Sequence, residues 1–231
     1  MSNQIRQYTR SLLTNEAERY DTAWLQKLKL LETGSIYYPN HFEKTDQCEI
    51  FTALKKELEA SKCETVQWSR HYKIGNPTFL PTFNKIIERL AKLFDVEIAE
   101  TRLNYYPNQE SWKPFHHDRT TDDETSNIKE NFTMGASFGA TRSLAFIDVE
   151  TERTFSIPQN NGDIFAFTAA VNKIFQHGVP KTNAVKGERF SIIAWGYENK
   201  NREKQIVKKV VEKGRNENSK GKKRNQRLRF L

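Results

Sequence analysis

The feature that most constrains the fold of this chain is a change in the spacing of its apolar residues near residue 95. Before it, apolar side chains recur at three- and four-residue intervals, which is typical of amphipathic helices. After it, short segments rich in β-branched and aromatic residues are separated by Gly, Pro, Asn or Asp, as in β-sandwiches and barrels. Helices followed by strands predict an α+β fold, with the N-terminal helices packed on one side of a β core.

Three helices are predicted before the change. Residues 1–33 form the first and end at Thr33-Gly34, DQCEIFTALKKELEASK forms the second, and PTFNKIIERLAKLF forms the third, with Pro81 near its start. The stretch SIYYPNHF is extended. The predicted strands are ETRLNYYP, FTMGASFG, RSLAFIDVE, RTFSIP, DIFAFT, KIFQHGVP and RFSIIAWGY.

The net charge of +8 is unevenly placed along the chain. Residues 200–231 hold 13 Lys/Arg and 3 Asp/Glu, whereas the rest holds 24 and 26. We divide the chain into an N-terminal helical extension (1–34), one domain (35–199) and a basic tail (200–231), predicted to be largely disordered. Such a tail suits binding to the phosphates of nucleic acid, and a solubilising or localising extension is the alternative.

The sequence also bears on the compartment. It has two cysteines, no run near the roughly 18 apolar residues of a membrane span, and no secretory leader pattern at its start. We expect an intracellular protein of the reducing cytoplasm or nucleus, a monomer without a membrane partner.

The segment SWKPFHHDRTTDD holds the first candidate site. On a strand, His116 and Asp118 point to the same side and His117 to the other. His177, in KIFQHGVPK, follows on another predicted strand. Two imidazoles and one carboxylate form the facial triad of non-haem Fe(II) oxygenases. Because a short H-x-D pattern also arises by chance, a polar loop or a core histidine remains the alternative.

A second candidate site follows on the last predicted strand. Arg189 presents a planar fork that binds a carboxylate with two parallel hydrogen bonds, as the distal carboxylate of 2-oxoglutarate requires. Ser191, two residues on, shares its face. The alternative is an arginine at a strand edge in a surface ion pair.

In their order, the segments LNYYP, HHD, SFGATRSLAF, NGDIFAFT, FQHGVPK and ERFSI resemble the AlkB family of Fe(II)/2-oxoglutarate dioxygenases, over residues 35–199. The resemblance implies a double-stranded β-helix (jelly-roll) core and O₂ as the other co-substrate. It implies these site residues: His116, Asp118 and His177 as Fe(II) ligands, and Asn104, Tyr106, Arg189 and Ser191 as contacts of 2-oxoglutarate.

One position departs from the family pattern. Six residues after the first arginine, where the family commonly has a second one, this chain has Trp195. A neutral indole cannot replace a guanidinium. Asn104, Tyr106 and Arg189 must then hold the co-substrate alone, or another cation compensates.

The resemblance further implies oxidative demethylation of N-alkylated bases in DNA or RNA, as in repair of alkylation damage. The same chemistry on a protein or a small molecule is one alternative, and a non-catalytic nucleic-acid-binding relative is another. Candidates for stacking on a base are Trp68, His71, Tyr72 and Phe79, which are alternatively core residues. Arg142 lies near the mouth of the site or pairs structurally with a carboxylate.

Overall fold

The computed structural model describes residues 22–42, 44–61, 66–68, 71–118 and 130–198. Residues 1–21 of the first predicted helix and the predicted tail lie outside these ranges. The helices are α1 (Thr22–Gly34), α2 (Lys44–Ser61), α3 (Pro81–Phe94) and α4 (Ala169–Ile174). The strands are β1 (Ser35–Tyr38), β2 (Val66–Trp68), β3 (His71–Gly75), β4 (Val96–Tyr106), β5 (Lys113–His116), β6 (Phe132–Gly139), β7 (Arg142–Asp148), β8 (Thr154–Gln159), β9 (Ile164–Thr168), β10 (Phe175–Val179) and β11 (Arg189–Glu198).

The strands form two sheets. The larger has the order β1-β9-β6-β11-β4-β3-β2 and the smaller has the order β5-β10-β7-β8. From β4 onward the chain passes repeatedly between them: β4, β6, β9 and β11 belong to the large sheet, and β5, β7, β8 and β10 to the small one. This alternation gives the predicted jelly-roll arrangement, in which strands distant in sequence become neighbours.

The two faces of the large sheet differ in chemistry because side chains alternate along β6 and β11, which pair in antiparallel register. One face is apolar on both strands and carries Phe132, Met134, Ala136, Phe138, Phe190, Ile192 and Ala194. The other face looks toward the small sheet and carries Thr133, Ser137, Arg189, Ser191 and Trp195. Polar side chains on this buried inner face make it the wall of a site rather than solid core.

The helices contact two apolar clusters. α3 has the predicted bounds, and Phe83, Ile86 and Leu90 on its buried stripe join α2 in covering the outer face of the large sheet. Trp24 and Leu28 of α1 belong instead to the second cluster, which includes residues between the two sheets. The N-terminal helices therefore do not share one packing side, because the apolar stripe of α1 has a different partner.

Some elements of the structure were not predicted from the sequence. α4 is six residues long, too short to show a helical period, and its N-cap Thr168 accepts a hydrogen bond from the Val171 N–H. The hairpin β2–β3 extends the large sheet beyond β4. Among the described residues, no helix has the length and apolar character needed to cross a membrane.

Candidate metal centre

The two histidines of the predicted triad are brought together by strand pairing. In the small sheet, His116 of β5 and His177 of β10 are directly opposite each other. Their ring centroids lie 4.5 Å apart. Asp118 lies just past the end of β5, on the side that His116 faces. His117 is turned away, and its Nδ1 lies 2.5 Å from the backbone oxygen of Asn172 in α4.

One donor atom from each triad residue lies within 4.8 Å of the other two. The Nε2 atoms of His116 and His177 are both 3.5 Å from Oδ1 of Asp118. These distances exceed the roughly 2.7–3.2 Å of an ordinary N–H···O hydrogen bond. A largely buried group of two imidazoles around one carboxylate oxygen fits a divalent metal ion better than it fits a hydrogen-bonded network.

The second oxygen of the Asp118 carboxylate has its own donors. Oδ2 accepts hydrogen bonds from Thr133 Oγ1 at 3.1 Å and from the indole Nε1 of Trp195 at 2.9 Å. Asn172 holds the backbone on both sides, because its Oδ1 accepts from the Asp118 N–H and its Nδ2 donates to the Asp118 carbonyl. Oδ1 therefore faces the imidazoles. Hydrogen bonds of this kind orient a metal ligand toward its ion.

The protonation states suit metal binding. Burial alone would raise the pKa of Asp118, but the electrostatic effect of His177 and the close approach of both imidazoles outweigh it and hold that pKa well below its usual range. Burial lowers the pKa of His177, which Asp118 only partly offsets. An ionised carboxylate and a neutral imidazole are the forms that coordinate a metal.

A glycine allows the two ligand strands to approach each other. A Cβ on Gly178 would lie 2.8 Å from the Lys113 carbonyl oxygen and 2.9 Å from that of Pro114. The register between β10 and β5 also shifts between His177 and Val179. Such a bulge re-aims side chains beside a site, and here it lies next to a triad histidine.

A pocket with an empty volume of about 420 Å³ lies between the sheets beside the triad. Its apolar walls are Leu144, Phe165, Phe167, Val179 and Ile193. Its polar lining includes Asp118 and His177 together with all four residues predicted to contact 2-oxoglutarate, Asn104, Tyr106, Arg189 and Ser191. Convergent polar groups in a mostly apolar cavity are typical of a small-molecule site.

Arg189 has unused hydrogen-bonding capacity. Its Nε donates to Ser137 Oγ at 2.9 Å, and its Cζ lies 5.0 Å from the centre of the Tyr106 ring. Its Nη1 is buried and finds no hydrogen-bond partner in the described part of the chain, and the same holds for Oδ1 of Asn104. Burial lowers the pKa of Arg189 to about 10, which leaves it a cation at neutral pH. A buried cation with a free donor fits a carboxylate ligand.

The residues predicted to contact a substrate lie outside this lining. Arg142 is buried, and its guanidinium donates to the backbone carbonyls of Asn108, Ser111 and Pro180. Its partners among the described residues are therefore backbone carbonyls and not a carboxylate. Tyr72 is half-buried and packs beside Tyr105.

The stacking candidates are also separated. His71 is buried, and its ring stacks on Tyr106 with centroids 5.0 Å apart. Phe79 is exposed. The side chain of Trp68 lies outside the described residues.

Sequence reasoning missed four residues around the site. Thr133 and Ser137 break the apolar character of FTMGASFG at every second position, and that alternation is the signal that could have found them. Asn172 lies on a helix too short to recognise. Lys113 is buried and lines the pocket. No sequence pattern predicts this position, because a lysine near a histidine does not by itself indicate a binding site.

No protein-family model matches the chain. A comparison with curated proteins gives no match. Solved structures do match. A prolyl hydroxylase from Trichoplax adhaerens, in complex with a hypoxia inducible factor oxygen degradation domain peptide fragment, aligns with a TM-score of 0.56 and 14% identity, over 80% of this chain and 97% of that one.

Two further solved structures are similar. A prolyl-4-hydroxylase from Pseudomonas putida gives a TM-score of 0.53 at 12% identity, over 74% of this chain and 96% of that one. The structure of OsALKBH1 gives 0.50 at 11%, over 71% and 97%. At these identities the likeness establishes the fold, and it does not single out the AlkB family. The donor set of the triad fits Fe(II).

Proposed function

We propose that this protein is an Fe(II)- and 2-oxoglutarate-dependent dioxygenase. The observation that carries the proposal is that Asp118 and His177 of the triad line the same pocket as Arg189, whose Nη1 has no partner among the described residues. 2-Oxoglutarate has a keto acid at one end, which can chelate a metal, and a carboxylate at the other end. A metal-binding group and a carboxylate-binding group in one pocket match these two ends.

The order of contacts along the pocket supports this assignment. Trp195 lies opposite Thr133, Ser191 opposite Ser137, and Arg189 opposite Gly139 on the paired strands β11 and β6. Asp118 accepts its hydrogen bonds at the first of these levels. Along β11, the step from Trp195 to Arg189 corresponds to about 20 Å of strand. The side chains and the ligand together span this distance. The metal and the distal carboxylate would therefore occupy opposite ends of the pocket.

When bound, Fe(II) supplies the activation of O₂ that is coupled to decarboxylation of 2-oxoglutarate to succinate. This chain provides the rest. Asp118 remains ionised, Arg189 binds the distal carboxylate, and Asn104 Oδ1 and Ser191 add polar contacts. Leu144, Phe167 and the other apolar walls exclude water from the reacting centre.

We infer that the substrate is an N-alkylated base in DNA or RNA. One oxygen atom of O₂ enters succinate as CO₂ leaves, and the other converts the N-methyl group to N-hydroxymethyl, which releases formaldehyde and restores the N–H. Support comes from the excess of ten positive charges in residues 200–231 and from the likeness to OsALKBH1. A cytoplasmic or nuclear location would give access to this substrate.

A peptide substrate is the second candidate. It is favoured by the likeness to the Trichoplax adhaerens prolyl hydroxylase, which was solved with a bound peptide fragment. That likeness has a higher TM-score than the one to OsALKBH1.

The test is a mass-spectrometric screen of methylated DNA and RNA oligonucleotides and of proline-containing peptides, with Fe(II), with and without 2-oxoglutarate. We expect loss of 14 mass units (about one methylene, the methyl-for-hydrogen exchange) from an oligonucleotide, together with succinate. Gain of one oxygen on a peptide would assign the second candidate. Loss of the methyl mark by the Asp118→Ala variant would overturn the assigned centre.

The tail has its own test. A variant that ends at residue 199 should keep conversion of 2-oxoglutarate and lose salt-dependent affinity for oligonucleotides. Unchanged oligonucleotide affinity over a range of salt concentrations would remove the tail from the proposal.

A further inference from the structure

We propose that Lys113 is the second cation of the co-substrate pocket and binds the carboxylate beside the keto group of 2-oxoglutarate, while Arg189 binds the distal carboxylate. The inference rests on the proposed function and adds a residue to it. Lys113 would supply the cation that the neutral Trp195 cannot. It does so from β5 in the small sheet rather than from β11 in the large one.

Lys113 is placed to reach a ligand. It is the first residue of β5, three residues before His116, and it lies opposite Val179 of β10. Only 8% of its surface is exposed, and it lines the pocket together with Asp118 and His177. Its strand is the one that delivers a triad histidine, so a ligand held by Lys113 is fixed relative to the metal centre.

The ammonium group of Lys113 has no described partner. Within residues 22–42, 44–61, 66–68, 71–118 and 130–198, no side chain or carbonyl forms a hydrogen bond or ion pair with it. A charge on a largely buried side chain with no ion-pair partner costs free energy, and natural proteins retain one mainly where function needs it. Burial lowers the pKa of Lys113 to about 8, with Asp118 opposing the shift, so the ammonium form is still present at neutral pH.

Lys113 and Arg189 serve different ends of the pocket. The charges that act on Lys113 are those of Asp118, Arg102 and Lys73. Lys73 lies opposite Asn104 in the β3–β4 pair, and Arg102 lies over the Trp195 ring, so these neighbours mark the metal end.

The neighbours of Arg189 differ from those of Lys113. Its charge is affected by Tyr106 and Arg142, and its guanidinium is held by Ser137. One cation at each end matches a ligand with a carboxylate at each end.

The experiment measures calorimetric binding of two keto acids to protein loaded with Fe(II) under nitrogen. 2-Oxoglutarate has both carboxylates, and 2-oxovalerate lacks the distal one. We expect Lys113→Met to weaken both ligands by the same factor, about 10- to 100-fold, as for loss of a charged hydrogen bond. Arg189→Met should weaken 2-oxoglutarate and leave 2-oxovalerate unchanged.

Lys92→Met is the matched control, because Lys92 is an exposed residue in the last turn of α3, which packs on the opposite face of the large sheet. It should bind both keto acids as the parent does. Calorimetric titration of Fe(II) and a melting curve check each variant. Removal of an unpartnered buried charge should not lower the melting temperature of the metal-free protein, whereas removal of a purely structural lysine should.

Two outcomes would overturn the inference. Parent-like affinity of Lys113→Met for both keto acids would show that Lys113 does not bind the ligand. Loss of affinity confined to 2-oxoglutarate would move Lys113 to the distal end. If Lys113→Met does not fold, Lys113→Gln is judged by the same two results. Failure of the parent to bind either keto acid would instead refute the proposed function.

Discussion

The indole Nε1 of Trp195 donates a 2.9 Å hydrogen bond to Oδ2 of Asp118. The indole thus occupies a defined place beside the candidate metal centre. Its ring also lies 4.7 Å below the guanidinium carbon of Arg102. The position that departs from the AlkB pattern is therefore used to orient a metal ligand.

Replacement of Trp195 by Phe should weaken metal binding by about 10- to 100-fold, the usual effect of losing a hydrogen bond behind a metal ligand. Asp118 Oδ2 would retain only Thr133 among the two side-chain donors seen here. Calorimetric titration with Fe(II) under nitrogen measures the change. The control is Trp24→Phe in α1, the same substitution in the apolar core, which should affect stability and not metal affinity. Equal metal affinity in Trp195→Phe and the parent would show that the indole does not support Asp118.

Gly178 should be intolerant of a side chain. Gly178→Ala places a methyl group 2.8–2.9 Å from two carbonyl oxygens of β5, and we expect a loss of about 1–3 kcal/mol in the free energy of unfolding. Because the strain separates β10 from β5, metal affinity should fall as well.

Gly75→Ala in β3 is the matched control, since its methyl group would meet no atom within 4 Å. Chemical denaturation compares the two variants. Similar stability of both would mean that the close approach of β5 and β10 is not required.

The stability of the metal-free protein should depend on pH through Lys113. Its pKa is about 8 in the folded chain, against an ordinary 10.5. Between these values the unfolded chain binds more protons, so stability of the parent relative to Lys113→Met should rise with pH, by up to about 3 kcal/mol. Below pH 8 the difference should be constant. Urea denaturation of both proteins from pH 7 to 10.5, with a chelator present, checks this. Parallel curves would contradict the buried, unpartnered state of Lys113.

The sequence predicted the parts of this molecule that depend on local pattern. α3 has the expected bounds, because its apolar stripe and Pro81 define both face and start. β6 coincides with FTMGASFG, and β11 begins at the expected Arg189. The convergence of His116, Asp118 and His177 was also expected, because residues two apart on a strand share a face and jelly-roll strands return to one another.

The contacts that depend on three-dimensional packing were not predictable. Asn172 clamps the Asp118 backbone from a six-residue helix, and nothing in AAVNKI indicates this partner. The carbonyl partners of Arg142 come from two separate loops. Trp195 could be recognised as a departure from a family pattern, but its hydrogen bond to Asp118 depends on the pairing of β11 with β6. Local periodicity predicts the face of a helix or strand on which a side chain lies. It does not predict which residue of another element contacts that side chain.

The central claim is that His116, Asp118 and His177 hold an Fe(II) that consumes 2-oxoglutarate. The most direct measurement is succinate formed from 2-oxoglutarate and O₂ by the Fe(II)-loaded protein, compared with a folded Asp118→Ala variant. We expect succinate from the parent, none without Fe(II), and background levels from Asp118→Ala. Equal succinate formation by the variant and the parent, or formation that does not depend on Fe(II), would contradict the account.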